Sequence, residues 1–307
     1  MKICKRGLEY VQIRKNGDVV NCSWATRKIG NLLCNDMDEI YHGKEMEEFR
    51  ESLLDGSYRY CTKEKCPWLS NDTMDEHMVE ADSLSRYPKQ VSLSYEPDCN
   101  YICTSCRSQR YIKSEKEKNN LEKLEEQIMK FINEVQEISA NGIGELFAGK
   151  SILKILSNWK PSLPTEDVKV VLESNGSMFD PEHWKQIANL GQYELDVHIT
   201  VHSFEELVFQ FLSGTSIGVQ KVCDNLNFIK KLRAEGVVNF FEIATVVQEA
   251  NFRELPRFTE RCIYDYNADS VRIRSYFPYG CRTKEFEWFC DVRNPKHPFY
   301  KEYLDVM

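Results

Sequence analysis

Long apolar runs are missing from this chain: none approaches the ~18–20 residues needed to span a bilayer. A signal-peptide core is missing too. The opening Met-Lys-Ile-Cys-Lys-Arg-Gly-Leu-Glu-Tyr has no apolar stretch of that kind, and the chain is expected to be cytoplasmic. Positive charge is in short supply, with 40 Lys and Arg against 48 Asp and Glu and a net charge of −8. That balance argues against nucleic acid as the main partner and does not suit an anionic membrane. What is present is enough apolar material for a core, 42% of 307 residues, and length for one large α/β domain or two. Cysteine is plentiful, with 12 in the chain. In a cytosolic protein such thiols read as metal ligands or reactive groups rather than disulfides.

The cysteines cluster. Three fall in Cys99-Asn-Tyr-Ile-Cys103-Thr-Ser-Cys106. A tight loop of three thiolates holds one soft metal centre from one side and cannot close a four-ligand site. Four-iron clusters use four thiolates, and catalytic metal sites keep a position open. The loop therefore fits an iron–sulfur cluster with one iron left for a ligand that is not protein. A half zinc site completed by a distant Cys or His is the other arrangement of this spacing.

A second group, Cys4, Cys22, Cys61 and Cys66, lies in a turn-rich segment over residues 1–70. Tyr10–Ile13 and Val19–Cys22 flank Asn16-Gly17-Asp18, a hairpin turn signal that brings Cys4 and Cys22 toward one end. A helix is expected over Met37–Leu54, stopped by Asp55-Gly56. So small a unit has little core, and a metal centre would help to hold it. On spacing alone a closed four-thiol site accommodates zinc as well as a cluster. Cys34, beside Leu32-Leu33, is expected to pack as a small apolar residue. Cys223, Cys262, Cys281 and Cys290 receive no role.

Residues 71–90 are polar and acidic and read as a linker. From Val91 onward strand and helix alternate. Strands are expected at Val91–Tyr95, Glu137–Ser139, Asp167–Glu173, Leu195–Val201, Val237–Val247 and Asp269–Ser275. Helices are expected at Ser114–Gln136, from Asp180-Pro181, at Gly218–Glu235 and at Leu255–Tyr266. The cysteine loop follows the first of these strands, where βα folds place their chemistry. Ala140-Asn141-Gly142-Ile143-Gly144-Glu145 follows the second and allows close backbone approach, leaving Glu145 able to accept from an ammonium group. Ser174-Asn175-Gly176 follows the third and reads equally as an ordinary turn. His202 stands at the end of the fourth strand, where a ring facing a site and a ring satisfied by backbone are both open. Tyr95, Arg272, Arg274 and the aromatic tail around Tyr276–Tyr279 are candidate lining.

The spacing Cys99-x3-Cys103-x2-Cys106 resembles the cluster loop of the radical S-adenosylmethionine (radical SAM) enzymes. The run Gly17-Asp18-Val19-x-x-Cys22, Ile29-Gly30-Asn31-Leu32, Phe49 to Gly56 and Cys61 with Cys66-Pro67 resembles their SPASM-type auxiliary-cluster domain, here placed before the barrel. The resemblance implies an α/β fold. It consists of a partial (β/α)6 TIM-like barrel over residues 91–275, a small N-terminal cysteine-rich α+β module over 1–70, a linker over 71–90 and a tail over 276–307. It implies a 4Fe-4S cluster on Cys99, Cys103 and Cys106 that cleaves SAM reductively and leads to hydrogen abstraction from a substrate. It also implies an auxiliary cluster on Cys4, Cys22, Cys61 and Cys66, structural or electron-relaying. By the same resemblance Gly142, Gly144 and Glu145 contact the SAM amino group, Ser174 and Asn175 its ribose, and Val247 and Gln248 its adenine. A one-electron reductant such as a ferredoxin or flavodoxin is the implied partner. The substrate is left open among peptide, sugar and small molecule. A binding protein with zinc in both cysteine groups is the competing expectation.

Overall fold

The computed structural model describes residues 2–80, 84–140 and 143–307. They form two compact units, the first made of Met1–Pro97, Lys113–Ile143 and Lys150–Val170, the second of Asp98–Ile112, Gly144–Gly149 and Val171–Met307.

The first unit opens with β1 (Lys2–Cys4), α1 (Lys5–Glu9), β2 (Tyr10–Arg14), β3 (Asp18–Val20) and β4 (Lys28–Asn31). The turn between β2 and β3 has positive φ at both Asn16 (63°) and Gly17 (80°), the backbone that tight hairpins demand and that Asn-Gly supplies. The helix expected over 37–54 is two helices, α2 (Met37–Tyr41) and α3 (Lys44–Leu54). A capping box of Asp36 and Glu39 starts α2, and Gly43, extended at φ −77° and ψ 163°, starts α3. Arg50 of α3 donates to the backbone oxygens of Gly7 and Tyr41 at 3.2 and 3.0 Å, fastening α1 to α2. Cys34 is exposed rather than packed, in contrast to the expectation; Leu32 beside it is buried. After α4 (Pro67–Ser70), the polar segment read as a linker contains β5 (Met78–Glu80), which pairs antiparallel with β1.

Then come β6 (Gln90–Ser94), α5 (Glu115–Met129), β7 (Glu137–Ala140) and α6 (Ser151–Asn158). The strand order in this unit is β7-β6-β2-β3-β4. β6 is parallel to both β7 and β2, while β2, β3 and β4 form an antiparallel meander. α5 stops at Met129, short of the expected Gln136, because a separate single turn, Ile132–Glu134, delivers Phe131, Ile132 and Val135 into the core. The carboxylate of Glu96 accepts from the backbone N–H groups of Lys150, Ser151 and Ile152 at 3.0–3.3 Å. It thereby caps α6, whose first N–H groups have no helical partner.

The second unit carries β8 (Lys169–Ser174, from Val171 onward), α7 (Pro181–Trp184), β9 (Glu194–Thr200), α8 (Glu206–Ser213), α9 (Val219–Ala234), β10 (Phe240–Val246), α10 (Leu255–Tyr264), β11 (Ser270–Arg274), α11 (Lys284–Cys290) and α12 (Tyr300–Val306). Strand order is β8-β9-β10-β11, and β9, β10 and β11 run parallel. The α/β class with parallel strands is as expected. Along these strands the period of two sorts the side chains. Leu195, Val197 and Ile199 with Phe241 and Ile243 are fully buried on one face. Asp196, His198, Glu242, Arg272 and Arg274 take the alternate positions. There Arg272 pairs with Glu242 at 2.8 Å, and Arg274 stands 3.9 Å from Glu173. Among the described residues no helix is long and apolar enough to cross a membrane.

Candidate functional site

The thiol loop belongs to the second unit, and its backbone is clamped to the end of α8. Ile102 N–H donates to the Ser213 carbonyl at 3.0 Å, and Thr104 N–H donates to the Leu212 carbonyl at 2.9 Å. Gly214, which ends α8 in the left-handed region at φ +57°, lets the loop approach; a Cβ there would lie 2.3 Å from the Ile102 carbonyl oxygen. Inside the loop the N–H groups of Cys106 and Arg107 both donate to the Cys103 carbonyl, at 3.0 and 3.1 Å. Tyr101 N–H donates to the Cys99 sulfur at 3.4 Å. Burial pushes the Cys99 thiol up, with Tyr101 N–H opposing, and pushes Cys103 up further, with Cys99 and Cys106 adding to it. Arg107 hydrogen-bonds to the Cys106 sulfur and is a cation beside the loop.

Two turns from distant parts of the chain meet this loop. The backbone N–H of Glu145 donates to the Asp98 carbonyl at 2.6 Å. Its carboxylate, 3% exposed, accepts from Ser174 Oγ and from the Asn175 backbone N–H, each at 2.6 Å. Burial raises the pKa of that carboxyl group, with the two hydrogen bonds opposing. The Asn175 amide then reaches the loop, donating to Asn100 Oδ1 at 2.9 Å and lying 3.9 Å from the Cys99 sulfur. Gly176 turns the chain at φ +76°. Of the glycines expected here, Gly142 lies outside the described residues.

The residues after β10 divide. Val247 is buried with Phe252, Leu255 and Val292. Gln248 is fully buried; its Oε1 accepts from Thr104 Oγ1 at 3.1 Å, and its Nε2 has no partner. That orphaned donor beside the thiol loop is the kind of group an acceptor on a bound ligand satisfies. His202 is fully enclosed, with Nδ1 unpartnered and its pKa pushed down to about 4 by burial. Its backbone carbonyl accepts from Thr245 Oγ1 and Asn251 Nδ2. Arg272 spends its guanidinium on Glu242, while Arg274 stands 3.9 Å from Glu173. Cys223, Cys262 and Cys290 are buried on α9, α10 and α11, and burial pushes Cys262 up to about 12 and Cys290 to about 11. Cys281 is half-buried.

In the first unit Cys4, Cys22, Cys61 and Cys66 line one pocket. Phe49, Leu53, Ala25, Trp24, Trp68 and Met74 supply its apolar wall. Gly7 lets α1 lie against α3, since a Cβ would stand 2.4 Å from Leu53 Cδ1. Cys4, Cys22 and Cys61 each feel the charge of neighbouring thiols of the set. Cys61 is pushed up to about 12, by burial first and by the other three next. Among the described residues no three Cys, His, Asp or Glu side chains are gathered around the position of a single metal ion. A pocket walled by four sulfurs and apolar side chains suits the donor set of an iron–sulfur cluster. Tyr95, a candidate lining residue, is buried in this unit and bonds Ser151 Oγ at 2.9 Å. Sequence reasoning missed Arg6, which also lines the cavity. Its signal, a lone Arg two residues after Cys4, is too weak to read without the fold.

Residues 4–67 match the family model SPASM, described as an iron–sulfur cluster-binding domain. The match bears out the SPASM resemblance of the N-terminal segment. No curated protein matches the chain. Among solved structures the chain is similar to Streptococcus suis SuiB bound to S-adenosylmethionine, at 12% identity and TM-score 0.44, over 92% of this chain and 65% of that one. It is similar to methylornithine synthase (PylB) at 13% identity and TM-score 0.45, over 71% and 61% respectively. It is similar to the radical S-adenosylmethionine methyltransferase TsrM from Kitasatospora setae, with cobalamin and a 4Fe-4S cluster bound, at 12% identity and TM-score 0.41, over 65% and 40%. The chain thus spans less than two thirds of the length of each of these three.

Proposed function

We propose that the chain is a radical SAM enzyme with two four-iron clusters, one on Cys99, Cys103 and Cys106 and one on Cys4, Cys22, Cys61 and Cys66. The observation that carries the reading is the convergence of three motifs far apart in sequence. The thiol loop, the turn bearing Glu145 and the turn bearing Asn175 are tied together by the Glu145 carboxylate and the Asn175 amide. When bound, the cluster and SAM supply one-electron cleavage of a sulfonium and hydrogen abstraction from substrate.

The chain's own residues hold and orient. Cys99, Cys103 and Cys106 supply three thiolates and leave one iron to the methionine end of SAM. Tyr101 N–H and Arg107 lower the cost of thiolate charge in a buried loop. Glu145 sets the turn after β7, together with Gly144, against the turn after β8, so that Ser174 and Asn175 present a fixed polar edge to the ribose. Gln248 Nε2 offers its open N–H to the adenine, with Oε1 anchored on Thr104. Val247 holds that turn from the apolar side. The four N-terminal thiols form a complete ligand set, which assigns the second cluster to structure or electron relay rather than to substrate binding. A ferredoxin or flavodoxin is the reductant, and the substrate is a peptide, sugar or small molecule.

The test is anaerobic incubation of the reconstituted chain with SAM and dithionite. Formation of 5′-deoxyadenosine and methionine, absent in Cys99→Ala, is expected. Full iron with no SAM cleavage would contradict the assignment. Full substrate turnover by Cys66→Ala would remove the relay role.

A further inference from the structure

We propose that Arg6 is the charge-compensating residue of the N-terminal thiol cavity, held in an aromatic cage so that its fixed positive charge favours the reduced state of the centre bound there. The inference rests on the auxiliary-cluster reading above and names a residue that the reading does not use.

Arg6 sits on α1, two residues after Cys4, and lines the same cavity as the four thiols. Its guanidinium carbon lies 4.5 Å from the centroid of Tyr10, 4.8 Å from that of Trp24 and 5.6 Å from that of Trp68. Trp24 and Trp68 meet edge to face with centroids 6.0 Å apart, and Trp68 is stacked on His77 at 4.1 Å. The cage is therefore braced from outside. Among the described residues no carboxylate forms an ion pair with Arg6, whereas Arg27 pairs with Glu48 in the same unit.

An arginine on an aromatic cage with no acid is a cation kept for something else. Aromatic faces favour a cation in place of part of its water, and a guanidinium tolerates that exchange better than an ammonium. Four thiolates around iron and sulfide leave the centre anionic, and one more electron adds another negative charge. A fixed cation at the cavity wall stabilises the more negative state more, so it raises the reduction potential. The apolar wall keeps the local dielectric low and strengthens the effect.

The experiment uses the full chain carrying Cys99→Ala/Cys103→Ala/Cys106→Ala, so that only the N-terminal centre is read. Iron content and the midpoint potential from an anaerobic EPR redox titration are compared for Arg6, Arg6→Lys and Arg6→Gln. The expected result is that Arg6→Gln weakens reduction about tenfold, ~59 mV more negative for a one-electron couple, or loses iron. Arg6→Lys is expected to keep iron and stay close to the parent. An Arg6→Gln potential equal to the parent's at equal iron overturns the proposal. So does an Arg6→Lys that behaves as Arg6→Gln, because the role would then be shape rather than charge. A parent with zinc and no iron overturns the auxiliary-cluster reading and this inference with it; a normal iron content with an unmoved potential overturns this inference alone.

Discussion

The carboxylate of Glu145 accepts the backbone N–H of Asn175 at 2.6 Å and, through its other oxygen, the hydroxyl of Ser174 at 2.6 Å. One buried acid thus fixes the turn after β8, and with it the amide that reaches Cys99. Removing it leaves two donors without an acceptor, at about 1–3 kcal/mol each where they stay dry. Glu145→Ala is expected to lower unfolding stability by a few kcal/mol on that scale and to weaken SAM binding as the turn loosens. Glu145→Gln should lose less, because its oxygen still accepts one of the two bonds. Urea unfolding of the three proteins side by side checks this; equal stability of Glu145→Ala and wild type would contradict it.

Gln248 gives a sharper test of the ligand side. Its Oε1 is satisfied within the protein and its Nε2 is not. Gln248→Leu is expected to keep iron at the thiol loop and to weaken SAM by about 1–3 kcal/mol, roughly 5- to 150-fold in Kd, if the open N–H meets adenine. Equilibrium binding of SAM to the reconstituted protein measures it. Unchanged affinity at equal iron would place the adenine elsewhere.

His202 predicts an acid-side signature. Its folded pKa is pushed down to about 4 by burial, against about 6.5 in the unfolded chain. Between these values the unfolded chain takes the proton first, so folding stability is complete above pH ~6.5 and falls as pH drops toward ~4. At ~1.4 kcal/mol per unit the group contributes about 3 kcal/mol to that loss. His202→Gln is expected to flatten the decline over this window. Parallel stability–pH curves for the two proteins would rule the account out.

Gly214→Ala probes the clamp under the loop. A left-handed φ of +57° already costs an alanine about 1–2 kcal/mol, and the added carbon meets the Ile102 carbonyl at 2.3 Å. The loop must move, so both thermal stability and iron at Cys99, Cys103 and Cys106 are expected to drop. Iron per chain and a melting curve decide; a variant with wild-type values for both would mean that the loop is not held from α8.

The thiol loop and the alternation of strand and helix could be read in the sequence, because both are local: three cysteines in eight residues, and apolar periods of two and 3.6. Local reasoning failed where packing over distance decides. The split of α2 from α3 turns on Gly43 and the Asp36–Glu39 box, which the continuous run of Ile40, Met46 and Phe49 conceals. β5 is only three residues of a polar segment and is a strand because β1 pairs with it. Arg6 gathers Tyr10, Trp24 and Trp68 from separate stretches, and no spacing rule announces such a cage. Glu96 caps a helix that starts more than fifty residues further on, a partnership that no local pattern around it announces.

The most direct measurement is iron and acid-labile sulfide per chain after anaerobic reconstitution, in wild type and in Cys99→Ala/Cys103→Ala/Cys106→Ala. Two four-iron clusters predict about eight iron falling to about four in the variant. Iron near zero with one or two zinc per chain would contradict the account and leave a metal-stapled binding protein in its place.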